Sequence, residues 1–286
     1  MSSTMPRIST SLNARLSARG VLRSEWVKLR SVRSTAWCYG VLIALMVAIG
    51  LLVSSLSFSN SGSESTTGDL ARSIVVDVNT AGLKITVLIA CVLGALIVTG
   101  EYSTGMIRST FAAVPRRTGA LIAKAVVLAV TTFVATAIGI WLSAFVSWPS
   151  LASQQIDVDL GSPSVFMPLI GGAVYTTMVA LLAFGFGVIL RSTAGTLAVV
   201  LGLILVAPVI IPMLGGMVDA DWARTLSALM PQNAGGQLFA FSGDASIPQS
   251  DTEALKLDGW GGFGVLAAWD VIVLAAAIAL AKWRDA

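Results

Sequence analysis

The residue types that carry most enzyme chemistry are scarce in this sequence. It has no histidine and only two cysteines, Cys38 and Cys91, both inside apolar runs. Histidine bases, Ser-His and Cys-His dyads and histidine-based zinc sites are therefore excluded, and two thiols alone make a poor zinc set. No glycine-rich loop is followed by Lys and Ser or Thr, so no Walker-type nucleotide site is predicted. We expect no catalytic residue, metal or cofactor in this chain.

Charged and apolar side chains alternate in one short polar segment, Gly100 to Lys124, between two long apolar runs. Glu101 lies at the start of a predicted helix, where an acid suits the positive end of the dipole, and Pro115 ends it. Two interpretations stay open, a helix lying on lipid headgroups and a helix that docks into the groove of a soluble partner. The apolar face of this helix of about three turns consists of Met106, Ile107, Thr110, Phe111 and Val114.

One acidic residue, Asp270, lies well inside an apolar run. Burying it costs about 2.5–3.5 kcal/mol on insertion scales, so it must face the helix bundle, a wet cavity or a partner. We expect a structural role, paired or hydrogen-bonded between helices, with cargo or proton handling as the alternative. Glu101 is expected to pair with Arg108, Arg116 or Lys124, which would tie the polar segment to its neighbouring spans.

Composition indicates a polytopic membrane protein. The 286 residues are 56% hydrophobic and 12% charged, with a mean hydropathy of +0.85, which is too apolar for a soluble domain. Runs near the ~20 residues that cross a bilayer predict six spans, at about 37–56, 83–99, 120–148, 165–190, 196–214 and 262–281.

Some of these spans carry special residues. The second has an alternative, longer form that starts near Ile74. Trp148 and Pro149 are expected to mark the end of the third, which is longer than a bilayer requires. Pro208 and Pro212 should kink or end the fifth span. Close helix packing or a contact with a second subunit is expected from four glycines of the fourth span: Gly171, Gly172, Gly185 and Gly187.

The first 36 residues form a basic leader, and residues 37–286 form the membrane domain, with the polar segment at 101–118 and an insert at 215–261. Leu22, Trp26 and Leu29 recur at helical spacing and predict a helix along the cytoplasmic face, while a plain positive-inside anchor is the alternative. An inward amino terminus places fourteen of the 18 lysines and arginines inside, so the positive-inside rule favours it. Both termini are then cytoplasmic. In the insert, Trp222, Leu226, Leu229 and Met230 predict a short interfacial helix.

Three segments resemble parts of bacterial type-2 ABC permeases. Their cytoplasmic coupling helix, which plugs into a separate ATPase, is similar to Glu101, Gly105, Ile107, Arg108, Pro115, Arg117 and Lys124. Met106 departs from the small hydroxyl residue expected after Gly105. Their connecting helix looks like Glu25, Trp26, Lys28, Leu29, Arg30, Arg33 and Trp37. The segment before their last span resembles Leu229, Met230, Pro231, Asn233, Ala234 and Gly235.

The resemblance implies an all-α permease of six spans, working as two permease subunits with two cytoplasmic ATPases that bind the ATP and Mg. It implies ATPase coupling through Glu101, Tyr102, Gly105, Met106, Ile107, Arg108, Phe111, Pro115 and Arg117. The connecting-helix residues carried over are Glu25, Trp26, Lys28, Arg30 and Arg33. An apolar cargo path at the dimer interface is expected along Val87, Leu88, Val92, Leu203, Val206 and Ile210.

The implied function is ATP-driven export of a hydrophobic or amphipathic cargo from a bacterial cell, through a homodimer or a heterodimer in the cell membrane. Nothing in the sequence predicts binding of nucleic acid, since the basic residues lie beside apolar runs. An intramembrane enzyme would need a group of polar residues in the spans, and Asp270 alone is not one. The remaining alternative is a membrane assembly or sensor subunit that docks a cytoplasmic protein without moving cargo.

Overall fold

A computed structural model describes residues 18–56, 68–107, 117–218, 221–241 and 257–283 of the chain. No β-strand occurs in these ranges, and the predicted all-α fold is confirmed. Six stretches within them are long and apolar enough to cross a membrane, as the hydropathy predicts: Arg33–Leu56, Asp69–Ser103, Thr118–Ser153, Pro163–Leu190, Thr193–Gly215 and Gly259–Trp283.

The chain begins, within the described ranges, with helix α1 (Ala18–Ser31), followed by α2 (Arg33–Leu56), the first span. The second span is the longer alternative, made of α3 (Asp69–Thr80) and α4 (Leu83–Ser103). Gly82 joins these two helices where they pass close to α2, because a Cβ at this position would lie 2.6 Å from Sδ of Met46. The absence of a side chain at Gly82 therefore permits this approach.

The third span is helix α5 (Arg117–Ser153), whose 37 residues make it about 55 Å long. It exceeds the ~30 Å of hydrocarbon and must project beyond it. The prediction that Pro149 ends this helix is wrong, since α5 continues to Ser153. Leu151, in the turn after this proline, is fully buried in the core cluster that includes Val75 and Leu169, and this packing holds the helix past Pro149.

Prolines also fail to end the fifth span. It consists of α7 (Thr193–Leu201), a π-helical turn (Gly202–Val206) and α8 (Ala207–Val218). In that turn the N–H of Ala207 bonds to the carbonyl of Gly202, so one extra residue is accommodated just before Pro208. The ring of Pro208 would otherwise press on the carbonyl of Ile204, four residues earlier. The distortion is therefore local, and the helix continues through both prolines.

The fourth span, α6 (Pro163–Leu190), packs against α3, α4, α5, α7 and the sixth span, α11 (Gly259–Trp283), and occupies the centre of the bundle. Close packing at its glycines, one of their predicted roles, is confirmed. A Cβ at Gly172 would lie 2.5 Å from Leu83, at Gly185 2.7 Å from Val273 and at Gly187 2.5 Å from Val98. A side chain at Gly171 would collide with the carbonyl of Leu238.

The insert before the last span contains two short helices, α9 (Asp221–Ala228) and α10 (Pro231–Gly236). The predicted helix around Trp222 corresponds in part to α9, which contains Trp222 and Leu226 but ends before Leu229 and Met230, and Met230 is buried. Helix α10 is packed into the bundle: Ala234 is fully buried, and Gly235 lies against the ring of Tyr175. Trp269 of α11 donates from Nε1 to the carbonyl of Leu229 at 3.0 Å. Part of this polar insert therefore belongs to the helical core.

Candidate coupling site

Four charged side chains meet where α1, the end of α4 and the start of α5 come together. Lys124 is the bridge between two acids, with Nζ 2.6 Å from Oε2 of Glu25 and 2.7 Å from Oε1 of Glu101. Lys28 lies beside it, with Nζ 2.8 Å from Oε1 of Glu25 and 3.3 Å from Oε1 of Glu101. We call Glu25, Lys28, Glu101 and Lys124 the ion-pair cluster.

Three of the four side chains are buried. The exposed fractions are 4% for Glu25, 6% for Lys124 and 9% for Glu101, against 35% for Lys28. Two acids and two bases leave the cluster with no net charge. A buried ion pair costs desolvation to form, but removing one partner leaves an uncompensated charge and is strongly destabilising. The cluster therefore fixes α1, α4 and α5 relative to one another.

The charges on α1 support each other. Burial acts to raise the pKa of Glu25, but the charge of Lys124 and the hydrogen bonds from both lysines outweigh it, so the pKa is lowered. Burial acts to lower the pKa of Lys28, but its hydrogen bond to Glu25 and the charge of Glu101 outweigh it, so the pKa is raised. Both shifts favour the charged forms, so Glu25 and Lys28 are ionised at neutral pH and their ion pairs hold α1 against the bundle.

A second junction holds the same end of α4 from the other side. The guanidinium of Arg191 lies 5.1 Å from the ring centroid of Tyr102, in cation–π contact. Arg191 occupies the tight turn between α6 and α7 with a left-handed backbone, φ 53°. Next to it, Oγ1 of Thr193 donates to Oγ1 of Thr99 at 2.8 Å. Thr99, just before the predicted coupling segment, and Tyr102, at its start, are thus fixed to the α6–α7 turn.

The predicted coupling residues are only partly described. Glu101 and Tyr102 belong to the two junctions, and Gly105 adopts φ 71°, a left-handed conformation that a glycine adopts without strain. Met106 is 47% exposed, whereas Ile107 is 3% exposed and is covered by the protein's own chain. Arg117 begins α5, and its side chain lies outside the described residues, as do the predicted sites Arg108, Phe111 and Pro115.

The predicted connecting helix corresponds to α1. Glu25 and Lys28 face the bundle, while Trp26 is 46% exposed and Arg30 is exposed on the other side. Arg33 is exposed at the start of α2. Lys124 was one of the three partners predicted for Glu101, and the structure pairs them. That Glu25 of α1 joins this pair was not predicted. Arg191 was also missed as a junction residue, although its position as the single base in a tight turn between two spans was a signal.

The predicted cargo-path residues differ in how much of their surface is exposed. Val206 and Ile210 are 50% and 45% exposed, and Leu88, Val92 and Leu203 are partly buried. Val87 differs, because it is 2% exposed and packs in a core cluster that includes Tyr175 and Ile204. Val87 therefore does not face an open surface in this structure.

Asp270 faces the bundle, as its position predicted, with 6% of its surface exposed. It shares the buried face of α11 with Leu266 and Val273. Neither carboxyl oxygen has a hydrogen-bond partner among the residues that the structure describes. The expected pairing between helices is therefore not found in that part of the chain.

The sequence model of a family described as "ABC-2 family transporter protein" matches residues 21–209, from α1 to the start of α8. The match covers more than half of the chain. The chain belongs to the ABC-2 transporter family. A search among curated proteins finds no match. As an ABC-2 permease it is a multi-pass membrane component of an ABC transporter and is not itself catalytic; the family normally works with an ATPase subunit. The type-2 ABC permease family predicted from the sequence is thereby confirmed.

Proposed function

We propose that this ABC-2 permease is the membrane subunit of an ATP-driven exporter in a bacterial cell membrane, with both termini in the cytoplasm. A separate ATPase, which binds ATP and Mg, docks on residues 101–118. A second permease subunit, identical or different, completes the pathway. The cargo is hydrophobic or amphipathic and moves outward.

The observation that carries this proposal is the ion-pair cluster. Glu101 lies at the base of the segment that would contact the ATPase, and Lys124 lies where the chain returns from it. Lys124 also bonds to Glu25 of α1. A displacement of the segment would therefore move α1, α4 and α5 together instead of being absorbed in a loop.

The distribution of exposed apolar side chains supports a second permease subunit. Val206, Val209 and Ile210 of the fifth span are 50%, 66% and 45% exposed, and Ile85 and Leu96 of α4 are 50% and 39% exposed. No other helix of the described ranges covers these two faces, which suit either lipid or a second subunit. An apolar lining at such an interface fits an apolar or amphipathic cargo.

The orientation has its own test. Variants without Cys38 and Cys91 carry one new cysteine, Arg23→Cys on α1 or Asp159→Cys between α5 and α6; both positions are exposed. In intact cells, a membrane-impermeant maleimide should label the Asp159→Cys variant and leave the Arg23→Cys variant unlabelled until the membrane is opened. The reverse labelling would place residues 101–118 outside the cell and would end the proposal.

Coupling is tested with an ATPase that co-purifies with this chain from its own cells. The two proteins are co-purified and reconstituted in lipid, and ATP hydrolysis and cargo efflux are measured together. The variant Glu101→Lys should assemble but lose the link between hydrolysis and efflux, while Asp157→Lys, a reversal at an exposed acid, should not. Where Glu101→Lys fails to fold, Glu101→Gln replaces it, because the amide still accepts a hydrogen bond from Lys124. Hydrolysis and docking without efflux of any amphiphile would favour the sensor subunit instead.

A further inference from the structure

A polar cavity of about 370 Å³ opens at the other end of α4. It lies between the start of α4, the middle of α6, the π-helical turn and α10. We call it the amide cavity. Its polar lining consists of Lys84, Tyr175, Gln232, Asn233 and Gln237. This is a concentration of polar side chains that the apolar path predicted from the sequence does not explain.

The amides of the cavity differ in how far the protein satisfies them. Nδ2 of Asn233 donates to the carbonyl and hydroxyl of Ser227, at 2.8 and 3.0 Å, so this side chain is fixed. Oε1 of Gln232 is buried and has no hydrogen-bond partner among the described residues. Buried polar groups are normally paired, so an unpaired one at a cavity indicates a missing partner. A ligand hydroxyl could supply it after rotation of the Gln232 side chain.

The charge of the cavity is positive. Lys84 is the one charged side chain that lines it in the described part of the chain, and it is exposed. Asp77 of α3 is near enough to interact with Lys84 electrostatically, but no acid of the described ranges lies within ion-pair distance of it. Lys84 therefore keeps donors for an anion, and a cationic headgroup would be repelled.

The cavity adjoins an apolar surface. Val87 and Ile204 form its buried wall, with 2% and 0% of their surfaces exposed. Leu205 lines it as well and is 42% exposed, and Val206 and Val209 continue this exposed face along the fifth span. A molecule with a polar head and an apolar tail could place the head in the cavity and the tail along this face.

We propose that the amide cavity binds the anionic headgroup of an amphiphile, with Lys84 pairing to a phosphate or carboxylate, Nε2 of Gln237 donating to its oxygens and Oε1 of Gln232 accepting from a headgroup hydroxyl. This proposal rests on the proposed function where the amphiphile is taken as cargo. The volume suits a headgroup but not a whole acyl chain, so the tail stays outside, on the Leu205 face. The cargo class is thereby narrowed from apolar or amphipathic molecules to anionic amphiphiles.

The test measures binding to the purified permease in nanodiscs of phosphatidylcholine, without any ATPase. The probes are a dansyl-labelled fatty acid and its methyl ester, which share a tail and differ in charge. The acid should bind the wild type more tightly than the ester. Lys84→Gln should weaken binding of the acid about tenfold or more, as expected for loss of a hydrogen bond to a charged group, and leave the ester unchanged.

Three further variants sharpen the result. Lys84→Arg keeps the charge and should retain the preference for the acid. Gln237→Leu removes an amide but no charge and should weaken binding of the fatty acid severalfold. Arg72→Gln is the matched control, because it removes a cation from the same span, at a side chain paired with Asp69 at 3.2 Å and not lining the cavity. Equal binding of acid and ester, or the same loss in Arg72→Gln as in Lys84→Gln, overturns the proposal.

Competition identifies the source of the headgroup. Displacement of the acid by phosphatidylglycerol added to the nanodisc supports an anionic bilayer lipid as the occupant, and persistence of the acid supports a distinct anionic cargo. Displacement of the acid by inorganic phosphate alone, with no effect of the tail on affinity, would overturn the proposal that an amphiphile binds here. Because no ATPase is present, failure here leaves the coupling experiments intact, and failure of coupling leaves a measured headgroup site intact.

Discussion

Removing the charge of Lys124 should destabilise the permease far more than removing that of Lys28. In Lys124→Met, Glu25 and Glu101 remain buried at 4% and 9% exposure with only Lys28 to compensate them. Breaking a buried ion pair from one side costs about 3–5 kcal/mol. Because Lys28 still contacts both acids, at 2.8 and 3.3 Å, we expect the lower end, about 3 kcal/mol. The free energy of unfolding in SDS titrations of the reconstituted protein measures it.

Lys28→Met is the matched variant. Its side chain is 35% exposed, and Lys124 continues to bridge both acids, so the loss should be about 1 kcal/mol or less. The double variant Glu25→Gln with Lys124→Met removes the one uncompensated negative charge and should recover part of the stability. Equal losses in Lys124→Met and Lys28→Met would refute the reasoning, since they would mean that burial does not decide the energetics of the cluster.

Three other predictions concern single groups. The pKa of Glu25 is lowered in the folded protein, so the stability that Glu25 contributes is fully present above the ordinary glutamate pKa of about 4.3. This contribution is lost as the pH falls through the lowered pKa. Protection of α1 from protease should therefore decrease in that acidic range and stay constant between about pH 5 and 9. Asp270→Leu should raise the unfolding free energy by about 1–3 kcal/mol, because both carboxyl oxygens lack partners in the described chain, and a loss of stability would contradict this. Arg191→Gln should lower cargo-stimulated hydrolysis severalfold with unchanged assembly, through loss of the contact with Tyr102, and full stimulation would refute it.

Hydropathy was sufficient to predict the six spans, but not where their helices end. Polar residues at the ends, such as Arg33 and Thr193, continue a helix beyond the hydrocarbon, where apolar content no longer marks it. Proline was misleading for a physical reason. A proline interrupts the helical ladder, but Leu151 in the turn after Pro149 is fully buried in a core cluster, and that packing holds α5 helical past it.

The coupling site was predictable where its partners are close in sequence. Glu101 and Lys124 end and begin consecutive helices, 23 residues apart, so their approach follows from the topology. Glu25 is 99 residues from Lys124, and its local partner Lys28 already explained its charge. Arg191 likewise meets Tyr102 only because α6 and α4 pack together along their lengths. Such contacts depend on which non-adjacent helices are neighbours, and hydropathy does not contain that information.

Helix α4 connects the two regions on which function is proposed to depend. Lys84 of the amide cavity follows its first residue, Leu83, and Glu101 of the ion-pair cluster lies near its last residue, Ser103. Its 21 residues form one helix about 31 Å long without a proline, so it moves nearly as a rigid rod. A displacement at the cluster would therefore be transmitted along α4 to the cavity, and headgroup binding and ATPase contact would act on the same element.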